Sequence, residues 1–173
     1  MMKKHHAVQM YDYHVWANNR LFARLRELPE EVYDRKMESV FPSIADTLAH
    51  IFMTDTIWHG VMQGKAMDVI QDSMREAQEK IGDKRLETIE ALFGESTAAY
   101  RSFFAEVGDM EKEVFPEHPK FGRLETNLAE LVHHVVNHGT YHRGNIAAMI
   151  RQQGESGVPT DYIYYLYEIN STN

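Results

Sequence analysis

Apolar side chains recur at helical spacing along almost the whole chain. Val8, Tyr11, Val15, Phe22 and Leu25 fall about 3.5 residues apart, with Asn18 interrupting them. They predict a helix over residues 3–28, ended by Pro29. Ile44, Leu48, Ile51, Trp58 and Met62 form the stripe of a second helix, and Asp55 lies on that stripe. Ser43 is a suitable N-cap for it, Asp46 falls in its first turn, and Gly64 follows its end. Residues 64–82 are polar and read as a loop with a short helix around 72–80. A third helix runs from about Asp83 to Val107 on Leu86, Ile89, Phe93, Tyr100 and Phe103, and Gly108-Asp109 stops it. Pro116, Pro119 and Gly122 mark residues 109–124 as a loop. A fourth helix spans about Thr126 to Gln153, with Gly154 just past its end. Thr160 or Asp161 then caps a short final helix. No segment alternates as a strand would. The expectation is an all-α fold, a four-helix bundle with long connections and a short C-terminal helix, as one domain over residues 1–173.

Composition narrows the function. The 18 basic and 26 acidic residues give a net charge of −8, with no basic run to offset it, so a nucleic-acid partner is not expected. The start of the chain has no apolar signal region, and no stretch approaches the length of a membrane span. The expectation is a cytoplasmic protein with no membrane partner. With 0 cysteines, disulfides, thiolate metal sites and cysteine nucleophiles are excluded. Any metal must be held by His, Asp or Glu, and there are 10 histidines.

Two of those histidines occupy unusual positions. The apolar stripe of the fourth helix is Leu128, Leu131, Val135, Ile146 and Met149, and His138 and His142 fall on the same side of it. Side chains four apart stand one above the other, so both imidazoles can face one ion. Ten histidines give about 0.6 such pairs by chance, so the spacing alone decides little. Buried imidazoles, however, need hydrogen-bond partners or a metal. The ordinary alternative is a pair of satisfied core histidines. For a third ligand the residues leave a choice: His50, beside Thr47 and Ile51, competes with His14, His59, His118 and His134. The angle of His134 puts it on the flank, His133 points to the opposite face, and His5 and His6 lie near the terminus.

Several motifs are absent. His138-Gly139-Thr140-Tyr141-His142 lacks the glutamate of H-E-x-x-H metalloproteases. Glu130 and His133 make no di-iron motif, because His133 faces outward and no second copy exists. There is no phosphate-binding glycine loop and no nucleophile elbow. Gly139 maps to the buried side of the fourth helix, which suggests close helix approach. Arg143 reads as a surface ion pair, with capture of an acidic substrate group as the alternative. Trp16, Trp58, Tyr11, Tyr13 and Tyr141 read as core or boundary packing, with a pocket lining as the alternative.

Three segments and the C-terminal end together resemble one family. They are Tyr13-His14-Val15-Trp16-Ala17-Asn18, then Ser43-Ile44-Ala45-Asp46-Thr47-Leu48-Ala49-His50-Ile51 with Asp55 and Trp58, and then Asn137-His138-Gly139-Thr140-Tyr141-His142-Arg143-Gly144. With Pro159-Thr160-Asp161-Tyr162-Ile163 they resemble the DinB family, in the family's order and over nearly the whole chain. The H-x-x-x-H-R-G segment is the most specific part. The resemblance implies a four-helix bundle, often a homodimer, with a mononuclear metal site whose ligands are His50, His138 and His142. The implied ion is divalent: zinc, nickel or iron. Some relatives are transferases that use bacillithiol, mycothiol or glutathione, which implies a small-molecule substrate and a thiol partner. A bound metal would lower the pKa of such a thiol, or of a water. Asp46, Asp55, His134 and Tyr141 are the residues from which a proton carrier or a ligand-orienting group would come. The alternatives are a non-catalytic, structural or stress-related metal-binding bundle, and a metal-dependent hydrolase.

Overall fold

A computed structural model describes residues 4–171. The expected helix start at residue 3 lies outside the described residues. Four long helices dominate: α1 (His6–Glu27), α3 (Ile44–Met62), α5 (Leu86–Val107) and α6 (Leu128–Gln152). Shorter helices are α2 (Glu30–Asp34), α4 (Met67–Ile81) and α7 (Tyr162–Ser171). Helix α1 packs on α5 and α6, and α3 packs on the same two, so the four long helices close a ring. Among the described residues no helix is long and apolar enough to cross a membrane.

The capping signals act where the sequence places them. Ser43 Oγ accepts from the backbone N–H of Asp46 at 3.1 Å and donates to its carboxylate at 2.7 Å. That carboxylate also holds Lys36 and Lys84. Burial pushes the Asp46 carboxyl up, but the hydrogen bonds from Lys36, Lys84 and Ser43 together outweigh it and hold the group well below the usual range. Asp46 is thereby tied to the start of α3. Asn127 caps α6 by accepting from the N–H of Glu130 at 2.9 Å. Gly108 follows α5 with φ +67°, a conformation that favours glycine.

Two connections differ from expectation. Residues 67–81 form one continuous helix where the sequence suggests a loop with a short helix. Its buried residues are only Ile70, Ala77 and Ile81, too sparse a stripe to stand out among charged neighbours. Tertiary contact supplies the rest: α4 lies on α3, and a Cβ at Gly60 would meet Ile70 at 3.0 Å. The expected loop after α5 contains two small ladders. β1 (Glu113–Val114) pairs with β4 (Thr126–Asn127), and β2 (Glu117–His118) with β3 (Gly122–Arg123), both antiparallel. Strands of two residues are too short to leave an alternating pattern. Helix α7 forms as expected and packs on α1. There Tyr13 donates to the Thr160 carbonyl at 2.8 Å and Trp16 donates to Glu168 at 2.9 Å.

The core comes in two parts. One contains Leu21, Phe22, Leu48, Phe52, Phe93, Ile146 and Met149. The other contains Tyr11, Ala17, Met62, Tyr100, Leu131 and Val135. On α1, α3 and α6 the change from one part to the other coincides with buried polar residues: His14 and Asn18, Asp55, and His142 and Arg143. This polar layer contains the chemistry.

Candidate metal centre

His50 comes from α3, and His138 and His142 from successive turns of α6. Helices α3 and α6 face each other, so the three imidazoles converge. Ring centroids are 5.0 Å apart for His50 and His138, 4.7 Å for His50 and His142, and 4.5 Å for His138 and His142. One nitrogen from each ring lies within 4.8 Å of the other two. Nε2 of His50 is 3.1 Å from Nε2 of His138. Two nitrogens bound to a tetrahedral zinc at 2.0–2.1 Å would lie about 3.3 Å apart. The spacing and the all-nitrogen donor set therefore suit one divalent ion.

The electrostatics fit the same group. Burial first, and then the charges of the neighbouring His142, His50, His134 and His14, together lower the pKa of His138 from 6.5 to about 4. His142 is lowered by burial and by His50. His50 is lowered by burial, against an opposing pull from Asp55. All three rings are thus neutral near pH 7 and can present lone pairs. Nδ1 of His138 is buried and makes no hydrogen bond. Phe41 stacks near His50 at 4.4 Å and near His142 at 5.5 Å, forming an apolar flank. Tyr141 is 59% exposed at the rim, 4.9 Å from His142. Among the described residues no carboxylate or further histidine joins the group.

The other histidines separate from it. His134 is exposed on the flank as expected and packs against Trp58 at 4.5 Å. It lines a groove of ≈ 650 Å³ with Met10, Tyr13 and Thr140, a groove that the three converging histidines do not line. His59 lies against Tyr100 at 4.7 Å, and His118 is in the exposed β2–β3 hairpin. His133 is exposed, as its angle predicts.

His14 belongs to a second arrangement that sequence reasoning did not assemble. Its Nε2 is 3.2 Å from Asp55 Oδ2, and its Nδ1 is 3.2 Å from Arg143 Nη1. Arg143 also donates to Asn18 Oδ1 at 3.0 Å and to Thr140 Oγ1 at 2.9 Å. Asn18 Nδ2 lies 3.0 Å from His14 Nε2. A guanidinium only donates and a carboxylate only accepts. These two charged neighbours set the tautomer, because charge-assisted hydrogen bonds are about twice as strong as neutral ones. Nδ1 of His14 accepts from Arg143, and its Nε2–H donates to Asp55. Arg143 is 4% exposed, which corrects the expectation of a surface ion pair or a substrate-binding arginine. The signal was present in the sequence: three helices each carry a polar residue on an apolar stripe (Asn18, Asp55 and the His138–Arg143 segment), and Gly139 lies between the last of these and α1.

Comparison with known proteins agrees with this architecture. The DinB family matches over residues 1–171. The chain is 41% identical over 161 residues to Protein DinB of Bacillus subtilis (strain 168), covering 93% of this chain and 94% of that protein. A match that runs through all four long helices and takes in every histidine of the cluster places this chain in the DinB family.

Proposed function

We propose that His50, His138 and His142 hold one divalent metal ion, and that the protein is a DinB-type metal-dependent enzyme. The observation that carries this is the convergence of three neutral imidazoles with no carboxylate among them. Imidazole donors suit zinc, nickel and iron alike. Three protein donors also leave a position for an outside ligand, the pattern of catalytic sites, whereas structural sites use four. When bound, such an ion lowers the pKa of a thiol or a water.

The chain's own residues supply the surroundings. Phe41 keeps water from one side of the histidines. His134, one turn before His138 with its ring 6.2 Å away, offers a ring nitrogen that can accept a proton. Tyr141 stands at the open rim. A low-molecular-weight thiol of the bacillithiol class is the nucleophile of this reading, in an S-transferase-like reaction, with water as the alternative in a hydrolase. The reading takes the chain as one four-helix-bundle domain, a cytoplasmic homodimer, on the resemblance to the family.

Mass spectrometry of metal content on tag-free protein tests the reading, beside His50→Ala and His138→Ala. The expected result is one ion per chain in the parent and none in either variant. Absence of binding after loading with zinc, nickel and iron would return the histidines to core packing.

A further inference from the structure

We propose that His14, Asp55 and Arg143 form a positioning network that fixes the rotation of α6 against α1 and α3. His138 and His142 then face His50 before any ion arrives. The proposal rests on the metal reading above.

The network touches the cluster's own turns. Arg143 follows His142 directly, and Gly139 follows His138 directly. Gly139 and Arg143 point toward α1: a Cβ built at Gly139 would lie 2.3 Å from Cε1 and 2.6 Å from Nδ1 of His14. The imidazole of α1 is thus pressed against the backbone of α6 at the position between the two proposed ligands. Any side chain at residue 139 would force the helices apart. From α3, Asp55 holds the other nitrogen of that imidazole, five residues after His50. One neutral ring therefore joins a guanidinium on α6 to a carboxylate on α3.

Geometry sets the demand. A side-chain atom about 5–6 Å from a helix axis moves about 1 Å for every 10° of helix rotation. Metal–ligand distances tolerate only about 0.2 Å, and a functional shell about 0.5 Å. Apolar packing alone can slide by that amount, whereas the fork of Arg143, with donors to His14, Asn18 and Thr140, has one fit. A catalytic role for His14 does not suit the arrangement, because the residue is 1% exposed and both ring nitrogens are engaged.

Zinc affinity of the full chain, measured by chelator competition, tests the network in Asp55→Asn, Arg143→Lys and Gly139→Ala. Urea unfolding of the same metal-free proteins runs in parallel. Ile81→Val, in the core of α4 and away from the network, is the comparison for a loss of core packing elsewhere. Each network variant should weaken zinc binding about 10-fold or more, the cost typical of losing a supporting partner. Each should also alter the visible absorption of the cobalt(II)-substituted protein. Ile81→Val should change neither. If Asp55→Asn does not fold, Arg143→Lys keeps the charge and loses the fork, and gives the same readout. Parent-like zinc affinity and cobalt spectra in the folded network variants would overturn the proposal and leave the metal reading intact. A parent protein that binds no zinc, nickel or iron would overturn both.

Discussion

Helix α6 presents polar groups to two neighbours, and the two regions solve the same problem in opposite ways. Toward α1, Arg143 meets His14, Asn18 and, through the imidazole, Asp55. One cation, one anion and a neutral ring of fixed tautomer make a set that is balanced in charge, with Asp55 Oδ1 and Arg143 Nε left without partners. Toward α3, His138 and His142 meet His50 and Phe41. Three bases face one another, no acid enters, and Nδ1 of His138 stays unpaired. The first region balances its charges within the chain. The second gathers the lone pairs of three bases. That contrast in charge, more than the number of histidines, supports the proposal of the second region as the metal site and the first as scaffold.

The largest expected effect breaks the scaffold side. Asp55→Ala leaves Arg143 buried without its counter-charge and should destabilise the metal-free protein by about 3–5 kcal/mol in urea unfolding. His138→Ala removes a half-buried base that has no acid partner. In the same metal-free assay it should cost clearly less than Asp55→Ala. Equal losses at both positions would erase the distinction between the two regions.

A smaller effect completes the other side. An ion that binds only the folded chain adds about 2.7 kcal/mol when its free concentration is 100 times the Kd. Thermal unfolding with and without saturating zinc should show the gain in the parent and none in His50→Ala. A gain that persists in His50→Ala would move the ion to other histidines, such as His5 or His6.

Legibility in the sequence followed the number of contacts each feature needs. The long helices were readable because every turn repeats the same apolar choice, and Ser43 and Gly108 act locally at their ends. Helix α4 was half-hidden because its face is completed by α3 at Gly60, a contact between residues distant in sequence. The His138/His142 pair was readable from one helix alone. His50 needed the resemblance to the family, because spacing within α3 does not say what faces it. Arg143 was misread for the same reason. A charged residue at the edge of a stripe is normally solvated, and only the position of α1, admitted by Gly139, turns this one into a buried clamp.

The smallest effect is one of pH, and it sharpens the comparison from the side of the three bases. In the unfolded chain an imidazole titrates near 6.5, whereas in the folded, metal-free protein His138 titrates at about 4. Between these values the unfolded state takes up a proton that the folded state refuses. Stability of the metal-free protein must therefore fall as pH drops from about 6.5 toward 4, and this contribution levels off below. His50 and His142 are lowered too and act in the same direction. With a discount for partial exposure, His138 alone should contribute on the order of 1 kcal/mol between pH 7 and 5. His138→Gln should flatten the slope of unfolding free energy against pH by that amount, whatever its effect on the absolute value. An unchanged slope in His138→Gln would mean that this imidazole already has an internal partner. The two faces of α6 would then be alike, and the case for an outside ligand would be lost.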